Sequence, residues 1–195
     1  MSDLYKDFAA LAKGEKEGTD YRICVTVRDS AVAIVAPHGG RIERGTSEIA
    51  ATIAENNHSL YCFEGIRKRP HRDLHITSTN FDEPECINLI SNCEIVIAVH
   101  GLGGQRKAVE VGGRDETLRN EICENLKAAG FETKVVTTGN HAAISPDNIC
   151  NKGRRGTGVQ LEITRGLRDA LLNGTEDLSA FAKAVQRAIP SSRSS

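Results

Sequence analysis

The chain has 195 residues, 25 basic against 26 acidic side chains and a net charge of −1, with 4% aromatic residues and no tryptophan. That length fits one domain with a substantial core, no apolar run approaches the ~18 residues of a membrane helix, and a balanced charge gives no overall field to attract nucleic acid or an acidic membrane. The six cysteines (Cys24, Cys62, Cys86, Cys93, Cys123 and Cys150) are scattered without a C-x-x-C pair, which reads as small buried apolar side chains in a reducing compartment.

Met1 to Asp7 lacks a basic stretch followed by an apolar one, so no secretory signal is expected and the predicted location is cytoplasmic. Leu4, Phe8 and Leu11 share one face of a short helix over residues 3–13. Tyr21 to Arg28 alternates apolar and polar residues as a half-buried strand does, and Asp29-Ser30 turns it toward the next, so these two strands are expected to pair as a hairpin. Ala31 to Ala36 is a continuous β-branched apolar run, the mark of a strand buried on both faces. It ends in Pro37-His38-Gly39-Gly40, where glycines let the backbone turn sharply. Gly45-Thr46-Ser47-Glu48 then opens a helix to Asn56, with Thr46 or Ser47 as its cap. Strands follow at Ser59–Phe63 and around His75–Thr77, then a helix from Pro84 to Ser91 with proline in its first turn.

Glu94 to Val99 repeats the earlier construction: a continuous apolar strand, a histidine (His100) and a glycine-rich turn. Lys107–Val111 reads as a short strand, Glu116–Ala129 as an amphipathic helix ended by Gly130, and Phe131–Thr137 as a strand. Residues 139–157 form a long polar loop, a kind that is usually functional or disordered in compact domains. Val159, Leu161 and Ile163 alternate with Gln160, Glu162 and Thr164 in a further strand. Leu167–Leu172 and Leu178–Ile189 are terminal helices, and 190–195 a frayed tail. Strands alternating with helices predict an α/β fold: a single three-layer α/β/α domain over 1–195, whose first 20 residues are helix and linker, around a mixed parallel/antiparallel sheet.

His38, Glu43 and His100 stand just beyond two buried strands, at the sheet edge where ligands bind in open α/β folds. Two imidazoles and a carboxylate with an open fourth position suit one catalytic zinc per chain. The plainer alternative is a strand-capping histidine and a solvated loop acid. Such a metal needs a general base, and Glu162, an acid on the polar face of a strand beside a glycine-rich loop, is the candidate; otherwise it is a surface acid. His141, in the long loop, is a candidate to face the substrate or support the site. Gly101-Leu102-Gly103-Gly104 lacks the last glycine of a dinucleotide fingerprint, and no G-x-S-x-G elbow accompanies His38-Gly39-Gly40.

Pro37-His38-Gly39-Gly40-x-Ile42-Glu43-x-Gly45-Thr46, then Val99-His100-Gly101, then Asn151-x-Gly153-Arg154-x-Gly156-x-Gly158-Val159-Gln160-Leu161-Glu162 resemble the phage-type poly-γ-glutamate hydrolases over roughly Tyr5 to Leu172. The resemblance implies a carboxypeptidase A-like zinc hydrolase with His38, Glu43 and His100 as ligands and Glu162 as catalytic glutamate. Carboxypeptidases space their first two ligands as H-x-x-E, whereas this chain has H-x-x-x-x-E, so their terminal-carboxylate pocket is not carried over.

The expected activity is internal hydrolysis of γ-glutamyl amide bonds in poly-γ-glutamate, by a monomer without nucleic-acid or membrane partners that acts inside the cell or escapes by lysis, the resemblance implying a phage- or prophage-derived role. Its polyanionic substrate calls for local bases: Arg41, Arg106, Arg154 and Arg155 are the expected carboxylate contacts, with His141 beside them. Two other readings keep part of this: a zinc amidase or deacylase acting on small N-acylated acidic amino acids, and a metal-free module that binds polyanions through its basic loops.

Overall fold

Two continuous apolar strands can be buried only in the middle of a sheet covered on both faces. The computed structural model, which describes residues 3–68 and 71–190, builds that sheet. Arg69, Pro70 and residues 191–195 of the expected tail lie outside it. The elements in chain order are α1 (Phe8–Gly14), β1 (Tyr21–Thr26), β2 (Val32–Gly40), α2 (Thr46–Ala54), β3 (Ser59–Gly65), α3 (Pro84–Ile90), β4 (Ile95–Leu102), β5 (Ala108–Gly112), α4 (Glu116–Ala128), β6 (Glu132–Val135), β7 (Val159–Thr164), α5 (Arg165–Leu172) and α6 (Leu178–Ala188). The strand order is β1-β3-β2-β4-β7-β5-β6. Strands β3, β2, β4 and β7 run parallel at the centre, with β1 antiparallel to β3 and β5 antiparallel to β7. The sheet is mixed, as the sequence predicts, within one α/β domain. Among the described residues no helix is long and apolar enough to cross a membrane.

Alternate residues of the central strands serve two cores. Ile34, Ile97, Val99, Leu161 and Ile163 pack with α2, α4 and α6 on one face. Ala33, Val35, Val96 and Ala98 pack with Leu11, Phe81, Leu89 and Ile90 on the other. Five of the six cysteines are buried, and Cys24 is exposed.

Three expectations are corrected. Strand β1 pairs with β3, not with β2 as a hairpin. Its outward residues Arg22, Cys24 and Thr26 suit an edge, whereas β2 needs a parallel neighbour on each side. Residues 75–77 form no strand; they follow a short 3₁₀ turn, Arg72–Leu74, and are held by Asp3, which accepts from the Thr77 amide at 2.6 Å. Neither Thr46 nor Ser47 caps α2: the cap position is Gly45, and the Thr46 hydroxyl instead donates to Glu43 O at 2.9 Å.

One irregularity decides how the sheet serves its edge. The β2–β3 register shifts by a residue between Ala36 and Gly39, a bulge at Pro37-His38. A one-residue slip sends a side chain to the opposite face. Strict alternation from Val32, Ile34 and Ala36 would put His38 into the core formed with α2; the bulge turns it to the face that carries His100.

The 139–158 segment is not a solvated loop. Its Asn148, Ile149, Cys150 and Asn151 are buried under the sheet. Asn151 donates to Ala143 O at 2.7 Å and Ser145 O at 2.8 Å, and accepts from the Gly158 amide at 3.0 Å. Removing it would leave buried backbone groups without partners, at about 1–3 kcal/mol each where unsatisfied. Asn151→Ala should therefore destabilise the fold by roughly 2–4 kcal/mol, lowering the melting temperature by about 4–16 °C for a domain of this size. A shift under about 1 °C in thermal unfolding would show that the segment is held by other means.

Candidate active site

After β2 the chain crosses to β3 on one side and returns as β4 on the other, so the carboxyl ends of β2 and β4 lie side by side at a switch point of the sheet. Open α/β sheets bind ligands in the crevice there. His38 and His100 each lie two residues before the end of their strands, β2 and β4, and both side chains are buried. Between them the chain turns through Gly39-Gly40. Gly40 has φ +63°, and a Cβ there would meet Gly65 O at 2.5 Å, so only glycine fits. The turn closes when the Glu43 amide donates to His38 O at 2.9 Å.

That closure aims Glu43 back at the two imidazoles. His38 Nδ1 lies 3.1 Å from His100 Nδ1 and 3.4 Å from Glu43 Oε2, and His100 Nδ1 lies 3.9 Å from the same oxygen. The outer ring nitrogens are anchored, and so is the inward carboxylate oxygen. His38 Nε2 donates to Ile76 O at 2.7 Å, His100 Nε2 lies 3.3 Å from Ser78 Oγ, and Glu43 Oε2 accepts from the Gly101 amide at 2.7 Å. With Nε2 of His38 bound to a carbonyl, its Nδ1 is free to face the centre.

Electrostatics follow from this packing. Burial favours the neutral form of all three groups. For His38 that effect is outweighed by the adjoining Glu43 carboxylate, which holds the imidazole above its ordinary range. His100, equally buried and facing a cationic neighbour, is pushed down to about 3. Glu43 is raised by burial but lowered more by His38, His100 and the Gly101 amide, to about 2. A protonated His38 thus balances the Glu43 carboxylate, while His100 stays neutral.

A third imidazole adjoins the group. His75 donates from Nδ1 to Asp3 at 2.7 Å and turns Nε2 toward Glu43 Oε1 at 3.9 Å. The ligand atoms of His38, Glu43 and His75 all lie within 4.8 Å of one another. Its ring lies tilted against His38, with centroids 4.0 Å apart and planes 31° apart. The His100 ring is inclined to His38 at 62° with centroids 4.9 Å apart, and its Nδ1 lies 3.1 Å from that of His38. The sequence reading ranks His75 as a surface residue and gives Asp3 no role, so their pairing beside Glu43 was not anticipated.

Glu162 pairs in register with His100 on β4 and Glu110 on β5, forming a polar row across three strands. Its Oε1 accepts from Gln160 Nε2 at 2.9 Å, and Gln160 accepts in turn from Asn148 of the buried loop at 3.0 Å. His141 meets Glu110 at 2.7 Å beside this row. Burial, then the Glu43 charge, pushes the Glu162 carboxyl up to about 7.

The structure separates the expected arginines. Arg41 lines the cleft of about 1,300 Å³ that opens over Glu43 and His75. Arg44, Arg72, Arg165 and Arg168 line it too; of these, the sequence reading placed no role on Arg165 or Arg168. Arg106 turns away to Glu132, its Nε 2.8 Å from the carboxylate. Arg154 and Arg155 pair with Glu94 at 3.2 and 3.6 Å, at the amino end of β4. They precede Glu162 closely in sequence, yet six residue steps along the strand, roughly 20 Å at about 3.3 Å each, separate Glu94 from His100. Arg106, Arg154 and Arg155 thus lie outside the cleft because a strand entering the sheet brings its preceding loop to the opposite end.

A family model for poly-γ-glutamate hydrolases matches residues 5–185. The UPF0714 protein YndL of Bacillus subtilis (strain 168) is 38% identical over 170 residues, covering 87% of this chain and 67% of that protein. The SPbeta prophage-derived UPF0714 protein YoqZ of the same strain is 39% identical over 173 residues, and the chain spans 62% of its length. A bacteriophage poly-γ-glutamate hydrolase structure superposes with a TM-score of 0.92 at 34% identity, covering 96% of each chain. The zinc-free form of YndL superposes at 0.89 and 35% identity, covering 96% of this chain and 97% of that one.

The raised Glu162 carboxyl has a measurable consequence in metal-free protein. A folded-state value near 7 against an ordinary 4.5 means that the native state holds this proton more tightly than the unfolded chain. Its contribution to stability is complete below 4.5 and is lost as pH rises toward 7. Melting temperatures of wild type and Glu162→Gln, followed from about pH 4 to 8 with chelator present, should diverge across that window in favour of the variant. A constant difference would mean that Glu162 titrates as an ordinary surface acid.

Proposed function

The chain belongs to the poly-γ-glutamate hydrolase family, and from that membership we propose that it is a zinc-dependent endo-hydrolase of γ-glutamyl amide bonds in poly-γ-glutamate. The observation that carries this reading is the meeting of His38 Nδ1, His100 Nδ1 and Glu43 Oε2 within 3.9 Å of one another, each held from outside. Two nitrogen lone pairs and a carboxylate oxygen repel unless a cation stands among them. Imidazole nitrogens with one carboxylate suit zinc, whereas calcium and magnesium prefer all-oxygen shells. The residues therefore fit the metal, and His38, Glu43 and His100 would hold it. When bound, zinc supplies Lewis-acid polarisation of the scissile carbonyl and activation of water.

Glu162 supports the rest of the chemistry. A buried carboxyl shifted toward neutrality can take a proton from water and deliver it to the departing amine. The Asn148–Gln160 hydrogen bonds fix which oxygen faces the site. Poly-γ-glutamate carries a free α-carboxylate on every residue, and Arg41, Arg44 and Arg72 give the cleft cations to meet successive ones.

Three outcomes test the reading. Purified protein should hold one zinc; His100→Ala should lose most of it, and His75→Ala should keep it. Retention by His100→Ala with loss from His75→Ala would assign the third ligand to His75. Glu162→Gln should retain zinc while turnover falls on the order of 10²–10⁴-fold; near-normal turnover would remove Glu162 from the reaction. On poly-γ-glutamate, products should be internal fragments, formation should stop with chelator, and Arg41→Ala should raise KM with little change in kcat. Equal rates on neutral amides, or release of single residues only, would overturn the substrate assignment.

A further inference from the structure

Arg168 lies on α5, beneath the cleft, with only 6% of its surface exposed. A guanidinium taken out of water needs its N–H groups satisfied. No carboxylate pairs with it among the ion pairs of the described residues; three main-chain carbonyls take that place. Nε donates to Ile163 O at 3.0 Å, Nη2 to Leu102 O at 3.3 Å, and Nη1 to Arg44 O. Each acceptor belongs to a different segment of the site. Ile163 follows Glu162 directly, Leu102 stands two residues beyond His100, and Arg44 follows Glu43 directly.

Gly101 shows how closely these segments are drawn together. A Cβ there would fall 2.6 Å from Arg168 Cζ and 2.8 Å from Glu43 Cβ. The guanidinium and Glu43 therefore both press against the bare Cα face of Gly101, and the Gly101 amide donates to that same carboxylate. A charge alone does not need this arrangement. Three N–H groups diverging from one planar fork do, because they fix three carbonyls at set angles.

We propose that Arg168 is a positioning residue, a three-pronged bracket that sets the spacing of the segments bearing Glu43, His100 and Glu162. The assignment rests on the site reading given above. It differs from a substrate contact, since the donors seen in use are turned to the protein's own backbone.

The test compares Arg168→Lys, which keeps the charge and loses the fork, with Arg168→Ala, which leaves room for added ethylguanidinium. Zinc affinity is measured by competition with a chelating dye, alongside kcat and KM on poly-γ-glutamate and hydrogen exchange at the Gly101 amide. Both variants should bind one zinc about 10–100-fold more weakly, the range expected when a group supporting metal ligands is removed. In both, kcat should fall by a similar factor with KM within about twofold, and ethylguanidinium should restore part of the Arg168→Ala loss. Wild-type zinc affinity and kcat in Arg168→Lys would overturn the bracket, as would a rise in KM alone, which marks a substrate-binding cation. If Arg168→Ala does not fold, Arg168→Lys decides; loss of folding in both by circular dichroism overturns the positioning role. If wild type itself binds no zinc, the function proposed above fails instead. The bracket is then decided by Gly101 exchange: faster in Arg168→Lys upholds it, unchanged overturns it.

Discussion

Two imidazole nitrogens and a carboxylate oxygen cannot be left facing one another inside a protein unless a proton or a metal stands among them, and much of this fold serves to keep them facing. The Pro37 bulge turns His38 onto the face of the sheet that carries His100. The Gly39-Gly40 turn brings Glu43 back over both. Ile76 and Ser78 hold the outward ring nitrogens and the Gly101 amide holds the carboxylate, and the two cores fix the strands beneath. Each device is weak alone, on the order of 1 kcal/mol for a hydrogen bond. Together they hold a like-facing donor set in place before any ligand arrives, which is what a preorganised site requires.

Much of this was legible in the residues. Continuous apolar runs mark the central strands because nothing polar survives burial on both faces, and a histidine followed by glycines marks where such a strand stops. Glu162 was legible as an acid on the polar side of an alternating strand. The bulge was not, because alternation counted along the chain assigns His38 to the wrong face and only the pairing with β3 reveals the extra residue. His75 and Asp3 were hidden for a related reason: 72 positions apart, they meet through tertiary packing that leaves no local pattern.

The arginines carry the same lesson in charge. Arg154 and Arg155 stand eight and seven positions before Glu162 yet serve Glu94 at the far end of β4. Nearness in sequence places a loop residue at the end of the strand it leads into, and the candidate site sits at the other end. The cleft draws its cations from segments that follow strands, Arg41 and Arg44 after β2 and Arg165 and Arg168 after β7. Charge at a site of this architecture is therefore better sought after parallel strands than before them.

The strand order bears on how the chain matures. His38, Glu43 and His100 all lie within the first 100 residues, on segments that close against one another through β3, β2 and β4. Glu162 arrives on the last strand, which is inserted between β4 and β5 rather than added at an edge. Synthesis from the amino terminus thus delivers the donor set well before the acid, and until β7 enters, β4 and β5 each present an open hydrogen-bonding edge. Unpaired edges of buried, β-branched strands are the ones that recruit other chains. A ribosome-bound or truncated chain ending before residue 159 is accordingly the species most exposed to aggregation, and docking of the final strand both seals the sheet and completes the polar row.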